Sequence, residues 1–278
     1  MALDKTEGYL FLCLGKSYID DCVDLYDTLR KHDDIRPLDV VVLPCDVEYA
    51  QQKSIFNNVI SYDVYNDVKF NECHTSFEQF CLLPRLRFNK FLNYHYTLIL
   101  DVDVLCAFST EKVWNFLKEQ TQGLTMVGSK NNADWHWGLW GEICNKLNIK
   151  KYETHGGMFF FNKDYEKYFD VVLKYAEECF DNFDNFGMKQ FYQGGRVDEP
   201  CFAYAFNKIG YEPLNFADHS IMTFNLTAAD NIPTKKMTEQ KQYEAHMEDF
   251  IPFIHMFGKN RSTDFKALKR KILTHEKY

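Results

Sequence analysis

From residue 9 to residue 127, short apolar runs of strand length alternate with segments of helical periodicity, and few architectures accept that order. Residues 9–14 read as a strand. Residues 18–31 follow as a helix, in which Ile19, Cys22, Val23, Leu25, Tyr26 and Leu29 recur at helical spacing. Residues 38–43 form a near-continuous β-branched run, as expected of a strand buried on both faces. A short helix over 47–56 leads to a strand at 59–62. Residues 77–92 read as a helix interrupted by Pro84, and 97–100 as a strand that ends at Asp101. Ser109 or Thr110 caps a further helix to Leu117, and 124–127 is the next strand. Such alternation argues a mostly parallel central sheet flanked by helices, with ligands gathering beyond the carboxyl ends of the strands.

The second half is less regular. Residues 157–162 read as a strand, 164–180 as an amphipathic helix, and 199–209 as another helix, closed by Gly210 in the C′ position. Residues 181–196, rich in Asn, Gly and aromatics, read as a loop. No repeat or low-complexity tract divides the 278 residues, and a hydrophobic content of 46% suffices for one sizeable core. A single α/β domain over 1–278 is therefore expected.

Composition narrows the function classes. No run approaches the roughly 20 apolar residues of a membrane-spanning helix, and the charged opening residues contain no secretory signal. The nine cysteines are scattered with no Cys-x-x-Cys pair, which favours small buried hydrophobes in a reducing, cytoplasmic setting over a zinc or redox site. A net charge of −8 makes nucleic acid a poor default partner. The exception is a basic C-terminal tail, 263–278, with Lys266, Lys269, Arg270, Lys271 and Lys277. It reads either as a weak contact for membrane or nucleic acid, or as a solvated helix end whose charge suits the dipole.

The strongest local signal is Leu98-Ile-Leu-Asp101-Val102-Asp103. Two carboxylates two residues apart on a strand point the same way and repel unless a cation sits between them. Alone, the pair reads equally as a strand leaving into a solvated turn. A second signal is Ile254-His255-Met-Phe-Gly258-Lys259-Asn-Arg261, which offers an imidazole ligand and two cations suited to a diphosphate. Alone, it reads as a core histidine before a basic turn.

Taken together, these residues resemble the family 8 glycosyltransferases of the GT-A fold, the group of glycogenin and the bacterial lipooligosaccharide galactosyltransferases. The likeness runs in family order from about residue 8 to 262. It rests on Leu12-Cys-Leu14-Gly-Lys-Ser-Tyr18 after the first strand, Pro84-Arg85-Leu86 before the Asp-x-Asp pair, and Asp101 with Asp103. It continues through Thr154-His155-Gly156-Gly157-Met-Phe-Phe-Phe-Asn162, the acidic helix start Asp198-Glu199, and His255-Met-Phe-Gly258-Lys259-Asn-Arg261. The resemblance implies a Rossmann-like nucleotide-sugar-binding half over 8–128 and a sugar and acceptor half over 129–262. It implies Mn²⁺, with Mg²⁺ the alternative, held by Asp101, Asp103 and His255. A carboxylate–imidazole shell suits the former ion better. It also implies a UDP-sugar donor met by Leu12, Leu14, Tyr18, Arg85, Val102, His155, Gly156, Gly157, Gly258, Lys259 and Arg261, and retention of configuration. Glu199, Asp198 and Arg85 are the catalytic candidates.

The chain departs from the family's pattern at several points. Cys13, Leu14 and Gly15 replace the polar residues that read uracil, Arg261 replaces a usual Lys, and His155 and Glu199 replace Asn and Gln in the sugar pocket. The acceptor is left open among a saccharide, a protein hydroxyl and a hydroxymethylated DNA base. The aromatics of 180–192 and Trp135-His-Trp137 could stack on either a sugar or a base, or simply anchor a lid. The rival from another class is a non-catalytic nucleotide-sugar- or carbohydrate-binding protein, which would need no metal ligands. A nucleotidyltransferase would want a Gly-rich, Arg-containing first loop, and a phosphohydrolase a second carboxylate cluster.

Overall fold

The computed structural model describes residues 6–33, 35–129, 140–188, 195–215, 222–224, 252–255 and 261–274. The expected alternation is present: β1 (Glu7–Cys13), α1 (Lys16–His32), β2 (Leu38–Val42), α2 (Val47–Gln52), β3 (Asn58–Ser61), β4 (Tyr96–Leu100), β5 (Val104–Cys106), α3 (Glu111–Lys118) and β6 (Leu124–Ser129). Then follow α4 (Trp140–Leu147), β7 (Glu153–Asn162), α5 (Glu166–Asp181), α6 (Asp198–Ile209), β8 (Leu214–Asn215), β9 (Met222–Phe224), β10 (Phe253–His255) and α7 (Arg261–Thr274). Seven strands form the main sheet in the order β3-β2-β1-β4-β7-β6-β8, and β5-β10-β9 form a small second one. The main sheet is parallel except for β7, which runs against both β4 and β6.

Alternating side chains divide the core between the two faces of the sheet. Tyr9, Phe11 and Cys13 of β1 pack with α1 and α3, together with Met158 and Phe160 of β7. Leu10 and Leu14, with Phe159 and Phe161, pack with α4, α5 and α6 on the other face. A strand apolar at every position is thereby explained, since neither face meets water. The chain goes from β1 to β2 and β3 on one side and returns to β4 on the other, so the topological switch lies between β1 and β4. Phe11 pairs with Leu100 there, which sets the carboxyl end of β1 beside Asp101.

Three local expectations are corrected. The helix read over 77–92 is broken into a π turn (Glu78–Leu82), a helical turn (Leu83–Arg85) and a 3-10 turn (Phe88–Lys90). Pro84 supplies no N–H and its ring crowds the preceding turn, which the wider π winding accommodates. Of the two cap candidates for α3, Thr110 makes no side-chain cap and instead donates its hydroxyl to buried Asp33 at 2.6 Å, while Ser109 Oγ accepts the Glu111 amide at 3.5 Å. The basic segment after residue 262 is the helix α7, docked on α1: Lys269 Nζ lies 2.5 Å from Asp24 and 2.6 Å from Asp27, and Lys31 donates to the Ile272 carbonyl at 2.6 Å. Its lysine charge is thus partly committed within the chain. Gly210 does close α6 in the left-handed region, at φ 74°. All nine cysteines are free, and no helix among the described residues is long and apolar enough to cross a membrane.

Candidate active site

The site lies at the switch edge and draws on five parts of the chain. Asp101 follows the last residue of β4, and its amide donates to the Gly157 carbonyl at 3.1 Å, so β4 and β7 are still paired where the site begins. Val102 is buried, and it separates Asp101 and Asp103 in the turn between β4 and β5. His255 ends β10, which pairs antiparallel with β5, so that His255 faces Val104 in register. This pairing brings His255 Nε2 to 2.9 Å from Asp103 Oδ1 and 3.9 Å from Asp101 Oδ2. One ligand atom from each of the three residues lies within 4.8 Å of the others.

Arg85 stands behind this triad. The helical turn Leu83–Arg85 buries Leu82, Leu83 and Leu86 and carries the guanidinium inward, where it forks between the carboxylates of Asp101 and Asp198. Sequence reasoning gave Arg85 a diphosphate to hold; here it joins two acidic groups from β4 and α6. The fork needs space in β7. A Cβ on Gly156 would come within 2.5 Å of both Arg85 Nη1 and Asp198 Oδ2, and one on Gly157 within 2.7 Å of His255 Nδ1. The double glycine is thus a window through which the strand admits three polar side chains. Gly156→Ala is expected to lower melting by several degrees and cut activity at this site at least about tenfold, the scale of one displaced contact. Paired thermal unfolding and turnover assays check it, and a wild-type profile in both would show the window to be dispensable.

The electrostatics favour a cation. Asp101, Asp103, Asp198 and Glu199 stand against one guanidinium and the imidazoles of His155 and His255, an excess of negative charge at a site where Asp198 and His255 are buried and Asp101 retains about a third of its exposure, 31%. Burial pushes the carboxyls of Asp101 and Asp198 above the usual range, with Arg85 pulling each back. Burial alone would lower the His255 imidazole, but the carboxylates of Asp103, Asp101 and Glu199 together raise it. Two carboxylate oxygens and an imidazole nitrogen converging in this way are a fitting donor set for a divalent ion.

The remaining predicted residues fall into three groups. His155, Gly156, Gly157, Asp198 and Glu199 adjoin the triad. The amide of Gly156 donates to Glu199 Oε1 at 3.1 Å, and the His155 ring lies edge-on to His255 with centroids 4.9 Å apart. Leu12, Leu14 and Tyr18 surround the carboxyl end of β1, where Leu14 is committed to the core and Tyr18, at the start of α1, is 45% exposed. Gly258 and Lys259 lie outside the described residues, as do Trp135 and Trp137, and Arg261 is described only as the first residue of α7.

Sequence reasoning missed Glu78. Its fully buried carboxylate accepts the amides of His74 at 2.9 Å and Arg196 at 2.8 Å, tying the turn that leads to Arg85 to the segment that leads to Asp198. A buried glutamate between two loops leaves no periodic signature, and only the packing reveals it.

By sequence alone, neither a family model nor a curated protein matches the chain. Solved structures do. The galactosyltransferase LgtC, solved in complex with donor and acceptor sugar analogues, superposes with a TM-score of 0.59 at 12% identity, covering 97% of this chain and 97% of that one. The chain has the GT-A glycosyltransferase fold. The bifunctional glycosyltransferase WbbM matches the same GT-A fold with a TM-score of 0.59 at 13% identity, over 99% of this chain and 50% of its own. Mouse xyloside xylosyltransferase 1 matches it at 0.52 and 10% identity, over 90% and 97%. On this GT-A fold, the triad and the Arg85 fork occupy the edge where the strand order reverses.

Proposed function

We propose that this chain is a metal-dependent, retaining glycosyltransferase that moves a hexose or pentose from a nucleotide-diphosphate donor, UDP by the resemblance, to a hydroxyl acceptor. The observation that carries the reading is the convergence of Asp101, Asp103 and His255 at the carboxyl edge of a GT-A sheet. Asp101, Asp103 and His255 would hold a divalent ion, Mn²⁺ in preference to Mg²⁺, and its positive charge would offset the negative charge of the departing diphosphate. Arg85 keeps Asp101 in place for that ion. Tyr18 offers its ring to the base, with Leu12 and Val102 at the same edge; Gly258, Lys259 and Arg261 are assigned to the diphosphate, and His155, Gly156 and Gly157 to the sugar side. The acceptor is a saccharide, a protein hydroxyl or a hydroxymethylated DNA base. A screen of nucleotide sugars for Mn²⁺-dependent donor hydrolysis, followed by acceptor competition, tests the reading. Donor binding that is indifferent to Mn²⁺, with no hydrolysis, would mark a binding protein instead.

Retention can proceed by two routes. In the first, a carboxylate attacks the anomeric carbon as the diphosphate leaves with the bonding pair; the acceptor oxygen then bonds to that carbon, the carboxylate leaves with its pair, and the acceptor proton passes to the departed diphosphate. In the second, the acceptor oxygen bonds on the same face that the diphosphate vacates, and its proton passes to the departing phosphate oxygen. Glu199 sits in the first turn of α6, where the dipole favours its ionised form, with its carboxylate held near the triad by the Gly156 amide. Glu199→Gln is expected to lower turnover by about a hundredfold or more, ~2.7 kcal/mol, with an α-linked donor giving an α-linked product in the wild type. NMR of the product's anomeric signal reads the outcome. An inverted wild-type product would overturn retention, and a fully active Glu199→Gln would leave only the same-face route.

A further inference from the structure

Three consecutive residues of β7 take hold of Glu199. The Thr154 hydroxyl donates to its main-chain carbonyl at 2.7 Å, and the Gly156 amide donates to its Oε1 at 3.1 Å. Between them, the His155 ring places Nε2 3.8 Å from the same Oε1. The protonation of that ring follows from its other nitrogen. The amide of Gly157 donates to His155 Nδ1 at 3.1 Å, and a ring nitrogen that accepts a hydrogen bond carries no proton. The neutral imidazole then bears its proton on Nε2, the nitrogen turned toward Glu199. The ring has little freedom to turn, since His155 is buried and lies against His255.

We infer that His155 is a positioning residue, whose Nε2–H, with the Gly156 amide, holds the Glu199 carboxylate beside the Asp101–Asp103–His255 cluster. The inference rests on the proposed transfer reaction and adds to it the group that aims its acid. At 3.8 Å the contact is electrostatic rather than a formed hydrogen bond, and contacts of this kind tighten when a substrate is held. The strand that carries the grip is hydrogen-bonded to the one that carries Asp101, so the carboxylate is indexed to the metal ligands through the sheet. An imidazole facing a carboxylate is also a matched pair, replacing the two amides that the resembling family has at these positions.

A cycle of four variants tests it. Asparagine at 155 places its amide near the position of Nδ1 and falls short of Glu199, whereas glutamine reaches the position of Nε2 and can donate. His155→Asn is expected to lower kcat about tenfold or more, with Mn²⁺-dependent binding of the nucleoside diphosphate, which lacks the sugar, within about twofold of wild type. His155→Gln should restore most of the loss. In a Glu199→Gln background, His155→Asn should cost nothing further, the non-additivity of a residue that acts through another. Equal losses in both backgrounds, or a His155→Gln no better than His155→Asn, would overturn the positioning role. A readout independent of turnover is the ¹⁵N spectrum of labelled histidine rings, with the His155 signals identified by their disappearance in His155→Gln. An Nε2–H tautomer is expected, and an Nδ1–H tautomer would overturn the inference. If no donor is turned over by the wild type yet the tautomer is Nε2–H, the transfer reaction is wrong and the His155–Glu199 contact stands.

Discussion

Asp103→Ala is expected to abolish Mn²⁺-dependent nucleotide binding and to lower donor turnover by about a thousandfold or more, ~4 kcal/mol, while leaving the fold intact. Asp103 lies in the turn between β4 and β5, outside the core, and its described contact is with His255 at 2.9 Å. Losing it removes one of three converging donors, and of the two left, Asp101 already shares its charge with Arg85. On the proposed function, an ion so poorly held would not offset the charge of a leaving diphosphate. Thermal unfolding without nucleotide should move by no more than the ~1 kcal/mol usual for a partly exposed side chain. Asp101→Ala is a poorer test, because it also strips Arg85 of a partner. Near-normal turnover by Asp103→Ala after chelator treatment would end the metal-site reading.

Arg85→Ala should damage stability as well as chemistry. The guanidinium is buried between Asp101 and Asp198, and without it two inward-facing carboxylates are left with no cation between them. Removing one partner of a buried ion pair costs about 3–5 kcal/mol, and a shift of that size is expected in denaturant unfolding. Donor turnover should fall by a further ~2–5 kcal/mol in transition-state terms, the range for a desolvated charge contact. Arg85→Lys should recover only part of both losses, since one ammonium cannot fork between two carboxylates as a planar guanidinium does. A mutant with wild-type unfolding and turnover within about twofold, ~0.4 kcal/mol, would show the fork to be incidental.

What the sequence made legible follows from where the packing is regular. Strands β1, β2 and β4 are readable because their residues face apolar layers on both sides, and Asp101 and Asp103 because they interrupt such a run at its carboxyl end. The window in β7 is half legible: the pattern starts the strand at Gly157 and leaves Gly156 outside it, whereas Glu153–Asn162 is one continuous strand whose glycines are set by the Arg85, Asp198 and His255 side chains crossing them. That demand comes from residues distant in sequence and leaves no local trace. Three-residue strands such as β5 and β10 are too short for periodicity to show. Helix α4 did carry a signal, with Trp140, Ile143, Cys144 and Leu147 at helical spacing, and it could have been found. The break at Pro84 was visible as an interruption, but its outcome, a π turn that aims Arg85 inward, depended on the core beneath it.

The short pairing of β10 with β5 has a consequence for how the molecule comes together. His255 and Asp103 are 152 positions apart, and the short pairing of β10, Phe253–His255, with β5 keeps them in contact. On the proposed function, an ion grasped by both ends of so long a loop would act as a reversible cross-link, tying late-arriving chain to the early sheet. Closing a loop of that length is among the slow, entropically expensive events of folding, though the expense grows only with the logarithm of its span. Mn²⁺ and nucleotide should therefore raise the unfolding temperature in a concentration-dependent way, and the folded population should answer to the cell's supply of both.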